Sequence, residues 1–205
     1  MVELTQRQAA PPPSDPREVA RGVQFLAVLS GVCFAVGRVA SLDPDRAALT
    51  GVSGLLYAVL LLMGLPVLGV WLRRVRANAE LLSPGVQPFT PGWAMAGWLV
   101  PGLSLVMRWP ITLGLWRASG VPGRPVLVHT WLGTTVAGMV AYALAAGPHP
   151  SVPAVWAASA IMLAGCVQTA LVVQRITRRQ AEALGLPAEW PARPGEEIPR
   201  ERVSP

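Results

Sequence analysis

The sequence predicts an all-α, polytopic helical membrane protein with four transmembrane helices plus a Pro-broken re-entrant or interfacial helix pair. Three observations carry this expectation. Only 14% of the 205 residues are charged, against about 25% in an ordinary soluble domain. The mean hydropathy is +0.45, with 52% hydrophobic residues. The charge is missing from four long apolar blocks and gathered between them, as in membrane spans joined by polar connections.

The first 16 residues are polar and Pro-rich and bury too little apolar surface to fold. Residues 1–21 are expected to form a disordered cytoplasmic tail. They are too long and too weakly basic for a usual signal peptide, and no small-residue cleavage site follows. The run Leu29-Ser30-Gly31-Val32-Cys33 is one residue too long for a lipoprotein signal.

The membrane domain is expected over 22–175. Its first span, 22–40, reaches about 28 Å, close to the ~30 Å hydrocarbon core. Ala27, Gly31 and Ala35 lie four apart, a spacing that lets a neighbouring helix approach closely. Arg38 falls near the far end, where its side chain can reach the interface. Asp43-Pro44-Asp45 signals a turn that also starts the second span, 47–72. That span contains Pro66, a candidate bend. Beyond it, Trp71, Arg73, Arg74 and Arg76 open an amphipathic continuation to Leu82.

Segment 91–119 is the unusual part. Thr90-Pro91 reads as a helix start, with Thr as cap and Pro at the first helical position. The apolar run that follows is interrupted at Pro101-Gly102 and again at Arg108-Trp109-Pro110, and it ends at Trp116-Arg117. The third span is 126–146, with Gly133, Ala137, Ala141 and Ala145 spaced by four. A Gly147-Pro148-His149-Pro150 turn leads to the fourth, 151–173. Residues 176–205 are expected to form a short cytoplasmic amphipathic helix, ending near Gly185-Leu186-Pro187, and then a disordered tail.

Arginine placement decides whether 91–119 crosses. All 17 basic residues are Arg. If 91–107 crossed, six Arg would lie inside and eleven outside, against the positive-inside rule. If it does not, fifteen lie inside and only Arg38 and Arg46 outside. The second arrangement puts both termini in the cytoplasm. The all-Arg composition, rich in Ala, Gly, Pro and Val, points to a bacterial source and hence to the bacterial cytoplasmic (cell) membrane. The net charge of +6 is accounted for by this anchoring, so no nucleic-acid partner is expected.

One stretch carries a family likeness. It reads Trp71-x-x-Arg74-x-x-x-Asn78-Ala79, Phe89-Thr90-Pro91-Gly92-Trp93-Ala94, Gly97-Trp98-x-x-Pro101, Arg108-Trp109-Pro110 and Leu115-Trp116-Arg117-Ala118-Ser119. It resembles the bacterial membrane-protein family called domain of unknown function 4328. The likeness covers roughly 50–175 and is specific over 71–119. It departs at Leu103-Ser104-Leu105, where a more polar step is expected. The resemblance implies a few spans around a Pro-Gly-Trp core, and no activity.

No phosphate loop, dinucleotide fingerprint, zinc-protease motif or nucleophile elbow is present, and no acidic pair lies within the apolar blocks. The sequence leans toward a protein that is not an enzyme. Cys33 and Cys166 have no metal-ligand spacing. No cofactor is expected. His129, near the start of the third span, reads first as a neutral hydrogen-bonded histidine, with haem or quinone binding as the alternative. His149, some twenty residues on, is too far along the helix to share one haem with it. Arg73, Arg74, Arg108 and Arg117, with Trp93, Trp98, Trp109 and Trp116, read either as an interfacial belt or as a binding face. That face would take anionic membrane lipids or a protein partner, including a second copy of the chain. Two functions follow as expectations. One is a non-enzymatic accessory or scaffold subunit using the Arg/Trp face. The other is a membrane-embedded small-molecule site, for a quinone, haem or transported solute, using His129 and Arg117.

Overall fold

A computed structural model of the chain describes residues 13–100, 102–145 and 151–186. Pro101, the 147–150 turn with His149, residues 1–12 and residues 187–205 lie outside the described residues. Within them the fold is all-helical, and four helices are long and apolar enough to cross a membrane.

Helix α1 (Arg17–Ala40) starts where the Asp15 carboxylate accepts the Arg17 backbone N–H at 2.9 Å. Residues 17–21, read from sequence as tail, are therefore its first turns. Asp43 accepts from the Asp45 N–H and opens the 3-10 turn Pro44–Arg46, which leads into α2 (Ala47–Leu82). With 36 residues, α2 is about 54 Å long, far beyond a bilayer core, and it runs through Pro66 unbroken. Its Glu80 carboxylate accepts the Gly85 N–H at 2.8 Å, where Gly85 turns the chain at φ 74°.

The broken pair follows as α3 (Pro91–Leu99) and α4 (Leu103–Ala118). Thr90 caps α3 through the Trp93 N–H, and Gly102 at φ 84° opens α4. Pro110 lies inside α4 and does not end it. Then come α5 (Val126–Ala145) and α6 (Val152–Ala183). Helix α6 is capped by Ser151 and ends at Gly185, where the Leu186 N–H returns to the Ala181 carbonyl.

Helix α1 packs on both α2 and α6, and α6 packs on α5. The small residues matter at the first two seams. A Cβ on Gly31 would sit 2.9 Å from the Cys166 side chain of α6, and one on Gly37 would sit 3.1 Å from Ser53 of α2. The row α2–α1–α6–α5 does not close into a ring, because α2 and α5 are not packed together. The α3–α4 pair bridges that gap at one end, touching α2 and α5.

The densest core lies at this bridged end. Trp71, Leu72, Val75, Trp98, Ile111, Leu115, Trp116, Val128, Trp131, Val172 and Ile176 form one buried cluster. At the opposite end the buried cluster is small: Ala145, Val155 and Ala158. There the Arg38 guanidinium donates to the Ala145 carbonyl at 2.6 Å and lies 5.6 Å from the Tyr142 ring.

Candidate functional site: the arginine and tryptophan end

The bridged end gathers the starts of α1 and α5 and the ends of α2, α4 and α6. Buried polar contacts lock it. The Trp71 indole N–H donates to Thr177 Oγ1 at 2.9 Å, joining α2 to α6. Gln180, fully buried, donates to the Val75 carbonyl at 2.9 Å and to Ser119 Oγ at 3.0 Å, so it ties α6 to both α2 and the end of α4. Asn78, also fully buried, exchanges bonds with the Ser14 backbone, receiving from its N–H at 3.1 Å and donating to its carbonyl at 2.8 Å. The chain ahead of α1 is thus strapped to α2.

Asp15 reinforces the strap. Its carboxylate holds Arg17 at 2.8 Å, and its carbonyl accepts from Arg74 at 2.7 Å. Burial alone would raise the Asp15 carboxyl. Hydrogen bonds from Arg17 and the charges of Arg17 and Arg74 outweigh it and hold the group below the ordinary Asp range. Arg76 is buried, pairs with Glu80 at 2.9 Å and donates to the Phe89 carbonyl at 2.8 Å. It fixes the loop into α3.

The eight residues expected to form one face separate into three environments. Trp98 and Trp116 are core, at 4% and 2% exposure. Arg73, Arg117 and Trp93 are exposed, Trp109 is 37% exposed, and Arg74 is engaged with Asp15. Arg108 points inward. Its guanidinium lies 5.0 Å from the Trp98 ring and 5.9 Å from the Trp131 ring, and the two indoles stack 5.6 Å apart. Among the described residues no carboxylate pairs with Arg108, and its buried Nε has no hydrogen-bond partner. The side chain instead faces a cavity of about 270 Å³ between α1, α2, α5 and α6.

His129 is exposed on α5. Its Nδ1 lies 2.6 Å from the Pro125 carbonyl, which puts the ring proton there and leaves Nε2 open. The ring meets Trp109 edge-on at 5.9 Å. Arg117 lies eight residues beyond Trp109 on α4, about 12 Å along the axis, so a shared site must span that length.

The sequence reading missed Trp131, Gln180 and Thr177, and it met Asn78 only as part of the family likeness, with no role. The in-span position of Trp131, two residues after His129, offered a signal. Gln180 and Thr177 look like ordinary helix-surface polar residues until the packing buries them.

The fold and this end define a small helical protein with four helices of membrane-crossing length and a bridged arginine–tryptophan base. No curated protein and no solved structure matched the chain. The chain belongs to the family described as Domain of unknown function (DUF4328), whose profile matches residues 44–178. The match takes in α2 to nearly the end of α6, including the whole bridge.

Proposed function

We propose that this is a non-enzymatic accessory protein of a bacterial cytoplasmic membrane, with both termini in the cytoplasm, that grips anionic lipid headgroups at its bridged end. The observation that carries the reading is that Arg73 and Arg117 stay exposed there with no carboxylate partner among the described residues. Half-exposed Trp109 and exposed Trp93 on the same end suit the headgroup level. Of thirteen described arginines, eleven belong to this end and two, Arg38 and Arg46, to the other. Large apolar side chains such as Leu55, Leu62 and Leu144 are 67%, 69% and 75% exposed, a surface suited to lipid rather than water.

Each arginine near an anionic surface contributes about 1 kcal/mol. Arg73→Ala with Arg117→Ala is therefore expected to lower phosphatidylglycerol retention by the purified protein roughly tenfold or more, with phosphatidylcholine unaffected. Unchanged retention in native mass spectrometry sinks the headgroup reading; a lost co-eluting protein instead would assign the end to a partner. A reporter active only outside the cytoplasm, fused after Gly120, stays silent in this orientation, and a signal from it reverses the topology.

A further inference from the structure

Beyond the headgroup reading, and without using Arg73 or Arg117, we propose that Arg108 and the cavity above it bind the carboxylate of a single-chain amphiphile, a long-chain fatty acid, entering between α2 and α5.

The first argument is charge. Arg108 carries its cation on a helix of the bridge, yet among the described residues the guanidinium receives only two indole faces. Cation–π attraction from two rings offsets only part of the cost of desolvating a guanidinium, so the rings leave the site short of an anion. Elsewhere the inward-turned guanidinium groups have an acceptor: Arg38 reaches the Ala145 carbonyl, though its Nε is unpartnered, and Arg76 reaches Glu80 and the Phe89 carbonyl. Among these three, Arg108 alone has no hydrogen-bond acceptor among the described residues. A guanidinium accepts a carboxylate in a flat, two-bond geometry.

The second argument is the shape and lining of the cavity. Arg108 lines it together with Thr134, Thr135 and Thr169 and with the α2 leucines Leu60, Leu61 and Leu65. One cation in a wall that is otherwise uncharged and largely apolar matches a molecule with one charged head and one oily tail. The α2 wall remains open to the side, with Leu61 and Leu65 46% and 44% exposed, because α2 and α5 leave a gap above the α3–α4 bridge. A chain can slide in from lipid through that gap. The volume of about 270 Å³ holds a carboxylate and part of one chain. A two-chain phospholipid is disfavoured, because its large hydrated head would have to leave the interface to reach Arg108.

The test uses full-length protein in nanodiscs and labelled palmitate, with hexadecanol as the uncharged control. Arg108→Gln is expected to weaken palmitate binding at least about tenfold, the loss typical of a charge-assisted contact. Gly64→Leu fills the cavity without touching the charge. A Cβ at Gly64 meets nothing within 4 Å, so the fold tolerates it. It too should weaken palmitate about tenfold, while Arg73→Ala with Arg117→Ala leaves palmitate binding unchanged. Palmitate bound equally by wild type and Gly64→Leu, hexadecanol bound as tightly as palmitate, or no binding to wild type each overturns the proposal. If phosphatidylglycerol rather than palmitate is lost in Arg108→Gln, the site belongs to a two-chain headgroup and the fatty-acid assignment fails.

Discussion

The two ends of the helical bundle are built on different principles. At the bridged end, four tryptophans, Trp71, Trp98, Trp116 and Trp131, are nearly or fully buried together, and side-chain hydrogen bonds cross from helix to helix. At the other end the buried cluster is three small residues, and the helices present leucine, valine and methionine outward. The first end carries its own core. The second relies on close backbone approach, as at Gly37 against Ser53, where small residues let helices meet. At the bridged end conventional core packing with buried aromatic rings takes over.

The largest effect expected from this contrast is at Trp71. Trp71→Ala empties a nearly fully buried position and strands the Thr177 hydroxyl. It should cost about 3–5 kcal/mol. Leu62→Ala, on the outward face of α2, should stay within about 0.5 kcal/mol. Thermal unfolding of both variants in the same detergent checks this, and equal losses would erase the distinction between the ends.

A smaller effect is expected at the α1–α6 seam. Gly31→Leu forces a side chain into Cys166, where even a Cβ comes within 2.9 Å. Overpacking of this kind costs about 1–3 kcal/mol. Gly133→Leu on α5, with nothing within 4 Å of its Cβ, is the matched control and should be close to neutral. A seam variant as stable as that control would mean that glycine packing is not what joins the helices.

The smallest effect is pH dependence of the strap. The Asp15 carboxyl titrates below its ordinary value in the folded protein, so its contribution is complete above about pH 4 and lost as the pH falls through the folded value. The protection factor of the Ser14 amide, which donates to Asn78, should be high at pH 6 and fall near pH 3, and Asp15→Asn should remove most of that fall. A protection factor unchanged between the two pH values removes Asp15 from the strap.

Much of the fold is legible without coordinates, for local reasons. Length and apolarity mark four span-length helices, Thr90-Pro91 and Ser151 mark helix starts, and Gly102 and Gly185 sit at helix boundaries. The helix limits shift where tertiary contacts extend them: α1 begins at Arg17 because Asp15 caps and pairs with it, and α6 runs unbroken to Ala183 because Thr177 and Gln180 are held by α2 and α4. The candidate site is less legible. Arg/Trp richness at one end is visible in the sequence, but inward and outward members of that set are chemically identical there.

Periodicity, hydropathy and the spacing of arginines act along the chain, so the primary structure alone determined four long apolar helices, a broken element between the second and third of them, and the asymmetry of charge between the two ends. Which arginine turns inside is a question of three dimensions. Only the folded arrangement set Arg108 against Trp98 and Trp131, opened the space between α2 and α5, and left Arg73 and Arg117 in the open. The physical reason is that desolvation depends on neighbours brought together from distant parts of the chain, and no local pattern encodes them.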